Sequence, residues 1–113
     1  MKLFTSCFWT HMTDPRSISI ARGTPPFYKG PRYEKLAPSW ELIHAYKDGM
    51  PTDLYEAVYR SEVLSKLTPD IIRADLLDET ILLCWERDGF CHRHIVGAWL
   101  RENGIECEEV TFT

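Results

Sequence analysis

No run of apolar residues in this chain approaches the roughly 20 needed to cross a bilayer as a helix, so no membrane-spanning helix and no membrane partner is expected. The apolar stretch at the amino terminus, from Met1 to Trp9, is too short for a secretory leader and lacks its small-residue cleavage pattern. There is no Cys-x-x-Cys pair among Cys7, Cys84, Cys91 and Cys107, and three of the four sit in apolar, strand-like runs. Buried free thiols of a cytoplasmic protein fit that pattern better than secreted bridges. Strong charge is missing as well: a net −4 argues against bulk electrostatic attachment to DNA or RNA. It leaves room for a local basic pocket that takes one phosphate. No internal repeat or low-complexity segment is present, which excludes an array architecture.

What is present suits one globular domain. A chain of 113 residues buries a single core without disulfide staples, and four Trp, five Tyr and five Phe supply large side chains to fill it. Residues 2–9 read as a first strand and 17–21 as a second, with Thr13-Asp14-Pro15 as turn chemistry between them. Residues 22–38 carry two Gly and four Pro interleaved with Phe27, Tyr28, Tyr33 and Leu36. That is a long packed loop, a kind disproportionately functional.

Three helices follow. Ser39 caps the first, over 39–48, with Trp40, Ile43 and Tyr46 as its buried stripe and Gly49 as its stop. The second runs from Pro51 to about 67, with Leu54 and Val58 one turn apart. The third is opened by Thr68-Pro69-Asp70 and ends near 78. Residues 80–85 form a buried strand, and 91–103 form a helix with Ile95, Val96, Trp99 and Leu100 on one face. A last strand spans 105–112. This order predicts an α/β fold: a small, mostly parallel sheet flanked by helices in a Rossmann-like three-layer arrangement. The carboxyl ends of parallel strands share one edge, and there the sequence collects Thr10, His11, Arg22, Cys84, Glu86, Cys91, His92 and Arg93.

Reactive residue types are densest from Ile81 to His94, where a strand gives way to a helix opening on Cys91-His92-Arg93-His94. Helix-terminal amides attract anions and favour a thiolate. Cys91 is the candidate nucleophile, against the plainer reading of a cysteine wedged under the turn. Cys84 reads as a small buried hydrophobe that also lines the site. Glu86 and His92 are the acid–base candidates, against a salt bridge from Glu86 to Arg93 or Arg22 that merely fixes the turn. Arg22 and Arg93 are the candidate anion clamp. In the loop, Phe27, Tyr28 and Tyr33 stand beside Arg22, Lys29 and Arg32, a mixture that stacks a base while holding a phosphate, unless the rings are lids over the core. His44 and His94 read as surface or packing residues.

Two reaction classes fit poorly. Loops that ring an oxyanion commonly place Arg six positions after Cys; from Cys84 that position is Phe90, and from Cys91 it is Gly97. Metal ligation by Cys84, Cys91 and His92 or His94, with Glu86 and His11 as further donors, matches no common zinc spacing. No cofactor is therefore predicted, a divalent metal being the minor alternative.

Leu83-Cys84-Trp85-Glu86 followed by Phe90-Cys91-His92-Arg93-His94 and Trp99-Leu100 resembles the bacterial and phage domain-of-unknown-function 488 family. The front half agrees: Ile18-Ser19-Ile20-Ala21-Arg22, the Tyr-containing Pro/Gly loop and Lys35-Leu36-Ala37-Pro38-Ser39-Trp40 look like its short-chain branch. The resemblance implies a single α/β domain. It also implies an enzyme tied to nucleic acids, with Arg22, Cys84, Glu86, Cys91, His92 and Arg93 as its shared polar positions. The expectation is a small enzyme acting on a phosphate-bearing small molecule, nucleotide or nucleic acid. The alternative is a nucleotide- or protein-binding module in which the cluster is a polar lock. Sequence says nothing of oligomeric state.

Overall fold

Strand β1 (Lys2–Cys7) passes directly into a single helical turn, α1 (Phe8–His11), in a computed structural model that describes residues 1–110. The first strand is two residues shorter than expected because Phe8 leaves it to bury its ring edge-on to Tyr28, 5.1 Å between centroids. Strand β2 is only Ser17–Ser19. The long loop after it is held by an isolated bridge between Ser19 and Arg32 and by a 3-10 turn, Glu34–Leu36.

Helix α2 (Trp40–Lys47) starts where Ser39 Oγ accepts the Leu42 N–H at 3.1 Å. Its buried side chain is Leu42, not the expected Trp40 stripe, and Trp40 stays half exposed. Helix α3 (Thr52–Glu62) buries Tyr55 and Tyr59 rather than Leu54, and a 3-10 turn, Leu64–Lys66, finishes the segment. Helix α4 (Pro69–Asp75) has the Thr68 cap and the Pro at its first turn that the sequence signalled, but stops short of 78.

Strand β3 (Ile81–Cys84) is buried at all four positions, as a strand covered on both faces must be. Helix α5 (His92–Glu102) has Cys91 as its N-cap, and Gly104, at φ +80°, takes the left-handed conformation that lets the chain turn into β4 (Glu106–Glu109). The expected end of that strand at Phe112 lies outside the described residues.

The four strands are all parallel, in the order β2-β3-β1-β4. One face carries the larger core: Leu3 and Leu82 of the sheet meet Leu42, Tyr59, Ile72 and Val96 from the helices. The other face is thinner, covered by Phe8 of α1 and Tyr28 of the loop over Ile81 and Leu83. Helices thus flank one face fully and the other with a single turn plus loop. Chain leaving β1 goes outward to β2, and chain leaving β3 goes the opposite way to β4. The adjacent ends Cys7 and Cys84 therefore straddle the reversal of strand order, where open parallel sheets hold ligands.

Candidate functional site

A pocket of about 1050 Å³ opens at that edge, and its walls include Arg22, Cys84, Glu86, Cys91 and His92. The early arginine and the late Cys-His turn do meet. Trp85, Glu86 and Phe90 come from the β3–α5 turn, which reverses at Gly89 with φ +80°. Trp40, Tyr46 and Tyr55 come from α2 and α3. Gly23 sits between two indoles: Trp85 Nε1 donates to its carbonyl at 2.7 Å, and a Cβ there would stand 3.3 Å from the Trp40 ring.

Cys84 and Cys91 are joined in a disulfide. The expectation of four free thiols is corrected for this pair, while Cys7 and Cys107 remain free and buried. Seven residues of separation hide the pairing in sequence; the tight turn between β3 and α5 creates it. Burial raises the Cys107 thiol to about 11. In this oxidised state Cys91 has no thiolate, so the nucleophilic role expected of it would require reduction.

His92 is buried, and its two nitrogens are distinguishable. Nε2 lies 2.8 Å from the Ile20 carbonyl, which only accepts, so Nε2 carries the proton. Nδ1 is then the bare nitrogen, and it faces Cys84 Sγ at 3.2 Å. Burial lowers the His92 pKa to about 4; the Ile20 bond opposes this and the neighbouring Arg93 charge adds to it. The imidazole is neutral at pH 7 and a weak base. It serves better as an acceptor that orients a Cys84 thiol than as the proton carrier the sequence suggested. The Tyr59 ring, edge-on at 5.5 Å, closes its other side.

Glu86 is exposed, with Oε2 3.8 Å from Cys84 Sγ, within hydrogen-bond reach of a thiol but a bare contact for a disulfide sulfur. It forms no ion pair with Arg93 or Arg22. Among the described residues it is the one carboxylate in the pocket wall.

Arg93 is corrected. Expected as half of an anion clamp, it is 1% exposed and lies outside the pocket wall. Nε and Nη2 hold Glu109 at 2.9–3.1 Å, Nη2 also donates to the Arg87 carbonyl at 3.3 Å, and Nη1 donates to the Glu86 carbonyl. It ties the β3–α5 turn to β4. Arg22 keeps the anion role open: Nε and Nη2 hold the Pro38 and Ala37 carbonyls at 2.9 and 3.3 Å, and Nη1 has no such bond. No buried side-chain nitrogen or oxygen among the described residues lacks a partner, so Nη1 is reached by solvent.

Tyr33 is corrected too. Its hydroxyl donates to Asp75 at 2.6 Å and its ring belongs to the main core, away from the pocket. Tyr28 is likewise a lid, its hydroxyl donating to Pro31 O at 2.7 Å. The aromatic walls of the pocket instead belong to Trp40, Tyr46, Trp85 and Phe90, which sequence reasoning assigned to core or passed over. The missed signal was a tryptophan in a helix's first turn, beside a Pro-Ser cap, where no core stripe was needed. Thr10 bonds Cys7 Sγ at 3.1 Å, and His11 Nδ1 bonds Ser6 Oγ at 2.6 Å; neither lines the pocket.

Donor atoms of Cys84, Cys91 and His92 all lie within 4.8 Å of one another. No helix is long and apolar enough to cross a membrane among the described residues. Neither the curated proteins nor the solved structures yield a match to this chain. The family model DUF488-N3a, described as the active DUF488-N3 subclade, matches residues 8–104, nearly the whole length, and the chain belongs to that DUF488 family.

Proposed function

We propose that this protein is an enzyme acting on a substrate that joins a flat ring to a phosphate, a nucleotide or a nucleotide unit of a nucleic acid. One observation carries the reading: Arg22 shares a single pocket with Cys84, Glu86, Cys91 and His92, between aromatic walls. The rings stack a base at about 1–3 kcal/mol each, and the solvent-reached Arg22 nitrogen takes the phosphate. A cytoplasmic, reducing setting opens the disulfide. Cys84 then donates its S–H to His92 Nδ1 and stays a thiol. Cys91, at the α5 N-cap, gains the helix amides and becomes the attacking thiolate. The sulfur bonds to the substrate's electrophilic centre as the bond to the leaving group breaks. Glu86 passes a proton from solvent to that leaving group, and water then displaces the sulfur. The family description calls the subclade active and names no reaction.

A second reading, a binding module without turnover, draws on Arg93 and the disulfide, both of which fix the turn. Binding of nucleoside monophosphates and a short single-stranded oligonucleotide to reduced protein, followed by Trp fluorescence with product analysis by chromatography, separates the two. Arg22→Met should weaken monophosphate binding about tenfold, near 1.4 kcal/mol, and leave the matching nucleoside little changed. Turnover lost in both Cys91→Ser and Glu86→Gln supports the enzyme. Binding without turnover in the wild type supports the module. No binding by any of these probes overturns both.

A further inference from the structure

We propose that, once the Cys84–Cys91 disulfide is reduced, both thiolates and His92 Nδ1 form a binding site for a zinc-class divalent cation on the pocket floor. Four observations support it. The three donors already lie within 4.8 Å of one another and are buried, and a tetrahedral cation with bonds of about 2.0–2.3 Å brings its ligands to a comparable spacing. The Cα atoms of the two cysteines stand 7.1 Å apart, above the usual disulfide range of about 4.4–6.8 Å. The backbones thus leave room for two sulfurs held apart by a cation.

His92 supplies the third observation. Its Nε2–H is pinned to the Ile20 carbonyl at 2.8 Å, which fixes the ring and turns the bare Nδ1 toward Cys84. Metal-ligating histidines are held in this manner, the remote N–H donating to a backbone carbonyl. Charge is the fourth. Two thiolates cancel a divalent cation, so the assembled group is neutral and its burial escapes the penalty on an isolated ion. Two cysteines and one histidine leave a fourth position facing the pocket, for Glu86 or a substrate oxygen.

Oxidation reverses the site. Hydrogen peroxide takes two electrons from the two thiolates; the S–S bond forms, the O–O bond breaks, two protons complete two waters, and the cation leaves. The sulfurs serve either as ligands or as a nucleophile. The metal-loaded form is therefore a separate state of the same pocket, in which Cys91 is a ligand and not the nucleophile, and its occupancy does not rest on the proposed function.

Cobalt(II) titration of the full-length, reduced, oxygen-free protein, without nucleotide, tests occupancy. The expected result is one cobalt per chain with a near-ultraviolet thiolate-to-cobalt band. That band should fall to about half in Cys84→Ser or Cys91→Ser, disappear in the double variant, and stay unchanged in Cys7→Ser and Cys107→Ser, with far-ultraviolet circular dichroism reporting the fold. Peroxide should erase it in step with the loss of two thiols. X-ray absorption of the zinc form should give two sulfur neighbours and one imidazole. A folded, reduced wild type without the band, a band surviving the double variant, or three or more sulfur neighbours would overturn the proposal. A cobalt failure leaves the nucleotide reading standing, and a failure of nucleotide binding leaves the cobalt band untouched.

Discussion

Arg93 shows how one residue type in one place supports opposite readings. A guanidinium at the start of a helix beside a cysteine suggests an anion clamp; full burial against Glu109 and two turn carbonyls makes it a fastening. Removing either partner leaves different remains. Arg93→Met leaves Glu109, part of which solvent already reaches, and should cost about 3 kcal/mol. Glu109→Ala leaves a cation almost without access to water, so its loss should be the larger of the two. Urea unfolding midpoints for both variants check the order, and the reverse order would return Arg93 to the list of solvent-facing groups. His92 teaches a related lesson. Its identity was legible, but its tautomer and low basicity follow from the Ile20 carbonyl and from burial, and neither is written in the local sequence.

Elements were legible where capping and turn chemistry are local. Ser39, Gly49 and Thr68-Pro69 placed helix ends correctly because each acts on amides or dihedrals within one turn. Faces were harder. Leu54 and Trp40 follow helical spacing yet stay exposed, because the aromatic pair Tyr55 and Tyr59 won the core side of α3 and Trp40 leans over Gly23. The long loop is anchored to α4 by Asp75, which accepts from Lys35 at 2.8 Å and from Tyr33 at 2.6 Å. Those two bonds, Lys35 foremost, hold the Asp75 pKa below its ordinary 3.8. A lowered carboxylate contributes stability that is complete above the ordinary value and lost as the pH falls through the lowered one. Stability of the wild type should therefore drop on acidification more steeply than that of Asp75→Asn. Chemical denaturation across the acid range measures this, and parallel curves would count against the anchor.

At the scale of the whole molecule, the disulfide is an addition to a core that stands without it, since the helices bury Leu42, Tyr59, Ile72 and Val96 against the sheet. It closes a loop between cysteines seven positions apart, so chain-entropy reasoning gives a stabilisation of about 2.5 kcal/mol. Denatured without reductant, the protein should present two thiols, Cys7 and Cys107, and with reductant all four. Reduced protein should still unfold cooperatively, at a lower midpoint. Four thiols without reductant would remove the bridge; collapse on reduction would make it a staple.

What the sequence by itself determined is the kind of molecule: an α/β order of elements, a parallel sheet, and reactive types gathered where β3 meets α5. Hydrophobic period, caps and turn residues act over a few positions, so they can be read in line. Only the tertiary structure decided which groups face one another: Cys84 with Cys91, Arg93 with Glu109, Tyr33 with Asp75, and Trp40 and Trp85 in place of the loop tyrosines as the pocket's walls. Those choices depend on burial and on contacts between residues far apart in sequence, 72 positions for His92 and Ile20, and desolvation favours whichever partner the fold brings near.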